Sequence, residues 1–245
     1  MEERIEVDGL ALAAHVARPA TTASVPAVIL CHDFPTPPRG SLASGLTFPE
    51  LADRIARDIG WMVFTFNFRG TGGSEGDFSI GGWLADQRMA VDFLSQREEV
   101  NGVWMVGTGA GGTLALCTAA RDERVRGVAT LGAQAKLRGW DTSRFIDHCR
   151  RMGVLRTPGA PADPAAWAKE IADVDAITAA RKLAPRPLLV LHGSDDDVAP
   201  LDDARVLAEA HGDAELRVVL TAGRRIRHDP RAIASLFGWL DRQMH

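Results

Sequence analysis

Five short runs in this chain are apolar nearly throughout, rather than at every second position: Ala27 to Cys31, Trp61 to Phe66, Val103 to Val106, Val125 to Leu131 and Pro187 to Leu191. A strand with one wet face alternates apolar and polar residues. A strand buried on both faces does not, and that pattern belongs to parallel sheets covered by helices on each side. Helical segments lie between these runs. Phe48 to Asp58 carries Leu51 and Ile55, with Ile59 just beyond, at helical spacing, and Ile80 to Gln96, Gly111 to Ala120 and Asp202 to Ala210 follow in turn. A further strand is expected over Leu216 to Leu220, and a closing helix from about Pro230 to Arg242. Repeated strand–helix alternation predicts an α/β fold with a mostly parallel sheet. Arg4 to Arg18 departs from this rhythm: two strands flank Asp8-Gly9, a hairpin turn pair.

The stretch from about Gly132 to Ala184 also breaks the alternation. It holds Pro158, Pro161 and Pro164, Trp140 and Trp167, and helical pieces. It reads as a small helical cap inserted over the sheet of a single domain spanning residues 1–245. A chain of 245 residues, 46 % hydrophobic, can build one core of that size. The formal net charge of −4 argues against nucleic-acid binding, which needs a basic face. No apolar run approaches the ~18 residues of a spanning helix, and the start Met1-Glu2-Glu3-Arg4 shows no secretory pattern. The cytoplasm is therefore the expected location, with no membrane partner. Cys31, Cys117 and Cys149 have no metal-type spacing and are expected as buried, reduced thiols. No cofactor is expected.

Ligands of open parallel sheets bind beyond the carboxyl ends of the strands. Five loops occupy that edge. They are His32-Asp33-Phe34-Pro35, Arg69-Gly70-Thr71-Gly72-Gly73-Ser74, Gly107 to Gly112, His192-Gly193-Ser194-Asp195-Asp196-Asp197, and Gly223-Arg224-Arg225-Ile226-Arg227-His228. Together, in this order, they resemble the α/β-hydrolase superfamily, most nearly small bacterial serine hydrolases of the serine-aminopeptidase and dienelactone-hydrolase type. The second loop matches the family's R-G-x-G-x-S, and His192-Gly193-x-x-Asp196-x-x-Ala199-Pro200 matches its acid loop.

The resemblance implies an elbow, G-x-S-x-G, whose central serine is the nucleophile. Here the flanking Gly107 and Gly111 remain, but the centre is Gly109, with no side chain. Thr108, Ser74 and Cys117 are the neighbours that could substitute, each with a more ordinary structural explanation. The family's histidine position after the last strand carries Arg224, which cannot take a proton at neutral pH. His228, four residues on, is either a displaced base or the residue before the helix start Asp229-Pro230. Asp196 fills the acid position and otherwise caps a turn. The oxyanion hole would use the backbone N–H groups of Ala110 and Phe34. Asp33 stands where the family has glycine; it could pair with Arg224 across the vacated pocket, although an arginine at such a position more often simply faces water. His32, Asp33, Ser74 and Trp140 are expected around that pocket.

Two bland alternatives weigh against special chemistry here. His32, Asp33, Asp196 and His228 converge without recognisable metal spacing, and Arg224, Arg225, Arg227 and Arg231 suit a solvated loop more simply than phosphate recognition. Removing one member of a catalytic triad leaves only a residual ~10³–10⁴-fold catalysis. Losing two predicts a pseudo-hydrolase that binds a small molecule or a partner. The alternatives are an esterase, amidase or peptidase with displaced groups, and a lyase or isomerase on the same fold.

Overall fold

The structure, a computed structural model, describes residues 2–137 and 141–244. Its centre is an eight-stranded sheet in the order β1-β2-β4-β3-β5-β6-β7-β8. The strands are β1 (Glu2–Val7), β2 (Leu10–Ala17), β3 (Val25–Cys31), β4 (Met62–Phe66), β5 (Val100–Thr108), β6 (Val125–Leu131), β7 (Leu188–Gly193) and β8 (Glu215–Val219). β2 pairs antiparallel with both β1 and β4, and every later pairing is parallel. The expected hairpin forms, with Asp8 and Gly9 both at positive φ.

The helices are α1 (Phe48–Ile59), α2 (Ile80–Ser95), α3 (Gly109–Ala119), α4 (Thr142–Met152), α5 (Pro164–Ala172), α6 (Ala176–Leu183), α7 (Leu201–His211) and α8 (Pro230–Arg242). The apolar runs explain the layering. Val28 and Leu30 of β3 face a core shared with Ile55 of α1 and Leu236, Trp239 and Leu240 of α8. Ile29 and Cys31 face the opposite core, with Leu94 of α2, Leu114 of α3, Ala180 of α6 and Leu207 of α7. Each strand therefore needs apolar residues at consecutive positions. Among the described residues no helix is long and apolar enough to cross a membrane.

The stretch after β6 divides. α6 packs against α3 and α7, so it belongs to the layer covering the sheet. α4 and α5 lie farther out, and Phe145 of α4 approaches the Phe34 ring at 5.8 Å. Trp167 of α5 is buried and donates its indole N–H to the Phe78 carbonyl at 3.0 Å, a packing role. Trp140 lies outside the described residues. All three cysteines are buried and free. Burial pushes the Cys31 thiol up to about 12 and the Cys117 thiol to about 11, so neither is a nucleophile at neutral pH.

The loop after β4 is anchored by an ion pair. Arg69 donates from Nε and Nη2 to Asp86 Oδ1 (2.9 and 2.7 Å) and from its backbone N–H to Asp86 Oδ2 (2.9 Å). Ser74, expected near the pocket, instead serves this loop: its hydroxyl donates to the Asn67 carbonyl and accepts the Ala13 N–H of β2 at 3.0 Å. It is buried and does not line the cleft described below. The reason is register, because pairing of β2 with β4 draws the serine toward β2.

Candidate functional site

β3 and β5 lie side by side with Cys31 opposite Gly107. Two residues further along each strand, the Asp33 loop therefore meets the Gly109 turn. That turn is tight. A Cβ at Gly107 would meet the backbone of Gly112 at 2.4 to 2.5 Å, and one at Gly111 would meet the carbonyls of His32 and Cys31. Gly109 has φ +47, in the left-handed region that favours glycine.

A Cβ placed on Gly109 would fall on the Asp33 carboxylate. Asp33 Oδ1 accepts the backbone N–H of Phe34 at 2.7 Å and that of Ala110 at 2.9 Å. Its Oδ2 accepts from Arg224 Nη2 at 3.0 Å. The two N–H groups expected to form an oxyanion hole thus converge on one oxygen, and that oxygen belongs to the protein. Asp33 and Arg224 do pair, with side chains 28 % and 31 % exposed, rather than the arginine simply facing water as the sequence more readily suggested. Half-buried pairs of this kind add little net stability, but two backbone donors on one carboxylate oxygen give the arrangement direction.

The remaining expected groups are not assembled around Gly109. Asp196 Oδ1 accepts the N–H groups of Val198 and Ala199, both at 2.9 Å, which caps its own turn. His228 is exposed, and its Nε2 accepts from Arg227 Nη2 at 3.0 Å. Burial, then the charges of Arg227 and Arg225, lower its pKa below the ordinary imidazole value. Among the described residues no hydrogen bond links His228 to Asp196. Thr108 turns its hydroxyl toward the Cys31 carbonyl at 3.5 Å. No group of three or more His, Cys, Asp or Glu side chains suited to a metal is found among the described residues.

His32 is a packed core residue. Its Nδ1 bonds the Asp33 carbonyl at 2.7 Å, and its Nε2 accepts the Phe68 N–H at 3.2 Å. These partners assign the proton to Nδ1. Burial lowers its pKa to about 4. The unfolded chain therefore takes up this proton first, at about 6.5. Stability conferred by neutral His32 is complete above pH 6.5 and is lost as pH falls from 6.5 to 4. The loss amounts to about 3 kcal/mol over that window. Urea unfolding at pH 7 and pH 4.5 measures it. A His32→Asn variant should flatten this part of the profile, and an unchanged slope would assign the loss to other groups.

A cavity of about 540 Å³ opens above Gly109. Asp33, Arg224 and Asp196 line it, as do Arg225, Arg227 and His228. Its far wall is the segment from Thr36 to Phe48, including Leu46 and Thr47, which the sequence did not single out. That segment lacks any catalytic motif. Only its tertiary position, beside the loop after β8, brings it to the site.

A mostly parallel sheet with helices on both faces and a glycine elbow between β5 and α3 defines an α/β-hydrolase-type protein. The chain belongs to the α/β hydrolase fold family, whose model matches residues 26–184. No curated protein matches it in sequence. Solved structures match it in fold. The α/β hydrolase GrgF from Penicillium sp. sh18 aligns with TM-score 0.77 and 17 % identity, covering 100 % of this chain and 98 % of that one. Est1E from Butyrivibrio proteoclasticus, solved with ferulic acid bound, aligns with TM-score 0.73 and 17 % identity over 99 % and 97 %. The meta-cleavage product hydrolase CumD from Pseudomonas fluorescens IP01 aligns with TM-score 0.70 and 19 % identity over 98 % of each chain. At these identities the likeness establishes the fold.

Proposed function

We propose that this protein is a pseudo-hydrolase: it keeps the α/β-hydrolase scaffold and cleft, binds a small molecule there, and does not perform serine-type acyl transfer. One observation carries the reading. The Asp33 carboxylate sits in the space where a nucleophile's side chain would stand, on the two N–H groups that would stabilise an oxyanion. An acyl transfer enzyme needs that space empty and those donors free. Arg224, at the family's histidine position, holds the plug from the other side.

The test is turnover of short p-nitrophenyl esters and aminoacyl anilides by the unaltered protein beside His228→Ala. The expected result is no turnover above the buffer blank in either. Turnover that disappears in His228→Ala would establish a displaced base and overturn the reading.

A further inference from the structure

Arg227 is a partly buried cation with no carboxylate on it. Its Nη2 donates to Thr47 Oγ1 at 2.8 Å and to His228 Nε2 at 3.0 Å, and its guanidinium lies 4.4 Å from the centre of the Phe48 ring. Among the described residues it makes no ion pair. Burial of the charge lowers its pKa, with no carboxylate acting to raise it. A cation taken out of water is ordinarily paired, because desolvation is otherwise uncompensated. The adjacent Arg225 is exposed, and its side chain makes no hydrogen bond or ion pair with any described residue. Both line the 540 Å³ cavity.

Of the other charges of the cleft, three are held by partners, and the exposed Asp197 and Arg39 also line it. Arg224 and Asp33 hold each other at 3.0 Å. Asp196 is turned onto the backbone of its own loop. The charges of Arg227 and Arg225 help to lower the pKa of His228. The corner formed by Arg225, Arg227 and His228 presents two positive charges, and among the described residues no carboxylate forms an ion pair with either arginine. Beside it the wall carries apolar side chains among polar ones: Leu46 is 67 % exposed and Ala43 lines the same wall, while Phe48 is nearly buried. An exposed leucine at the mouth of a cavity is a ready contact for an apolar ligand body.

We infer that this corner binds the anionic head of an organic carboxylate or phosphate monoester, with the ligand's apolar body along Leu46 and Ala43. The inference rests on the reading of the cleft as a ligand site and names the ligand's class. It leaves the Asp33 plug in place, because the head group lies at the Arg227 corner and not in the oxyanion hole.

Titration calorimetry at pH 7 and constant ionic strength, with octanoate, octyl phosphate, octanol and inorganic phosphate, tests it. Octanoate or octyl phosphate should bind saturably, whichever head group fits the corner better. Octanol should bind at least tenfold more weakly, and inorganic phosphate more weakly than octyl phosphate. Arg227→Gln should weaken the anion at least tenfold. Arg225→Gln, at an exposed position that does not bear on folding, should weaken it several-fold. Equal binding of octanol, wild-type affinity in both variants, or no binding of either octyl anion would overturn the inference. Inorganic phosphate binding as tightly as octyl phosphate would overturn its apolar half. Ester turnover lost in His228→Ala would instead sink the pseudo-hydrolase reading and leave this titration standing.

Discussion

Gly109→Ser alone should lower stability by about 3 kcal/mol and yield no esterase activity. Two costs combine. A side chain at φ +47 is strained by about 1–2 kcal/mol. The new Cβ also evicts the Asp33 carboxylate, which surrenders its bonds to Phe34, Ala110 and Arg224. Hydrogen bonds to a charged group are each worth about 1.5–3 kcal/mol, less here because water reaches the cleft. The eviction cost disappears if Asp33 is already gone. The double variant Gly109→Ser with Asp33→Gly should therefore be less destabilised than the sum of the two single variants, by about 1–2 kcal/mol. Denaturant unfolding of the four proteins of this cycle gives the coupling directly. Additivity within about 0.5 kcal/mol would mean that the two residues do not compete for one space.

The second large effect lies away from the cleft, at Asp86. Its side chain is fully buried, and Arg69 beside it is 11 % exposed. Burial raises the carboxyl's pKa, and the Arg69 bonds work against that rise by favouring the charged form. Among the described residues, Asp86→Ala would leave the guanidinium buried with the exposed Asp8 as its one remaining carboxylate partner (2.9 Å). The expected loss is about 3–5 kcal/mol, the range for breaking a buried pair by removing one member. Replacing both residues, Arg69→Met with Asp86→Leu, should cost less than Asp86→Ala alone, since no charge then stays buried. A loss under about 1 kcal/mol for Asp86→Ala would show that water or Asp8 compensates the arginine.

The Asp86 contact shows where sequence reading stops. Arg69 was recognisable as part of a glycine-rich loop, but nothing marked Asp86, 17 positions on, as its partner. One face of α2 had to dock before the two met. The same holds for the segment from Thr36 to Phe48. It carries no motif, yet it supplies Thr47 and Phe48 to the Arg227 corner. Ser74 failed in the opposite direction, because it sat in a family loop but was consumed by β2.

What the residues settled alone was the backbone plan. Consecutive apolar positions in five short runs, alternating with helical segments, fit strands covered on both faces. The glycines at 107 and 111 are required wherever a strand turns this sharply into a helix. The replacement of the nucleophile by Gly109 and of the histidine by Arg224 was also plain in the string, as was the chance that Asp33 and Arg224 pair. The position of the Asp33 carboxylate was not. It depends on β3 and β5 being neighbours in one register, on φ +47 at Gly109, and on two N–H groups from different loops converging on one oxygen. Such convergence arises from contacts between residues 77 and 191 positions apart, which local propensity does not encode and only the packed sheet creates.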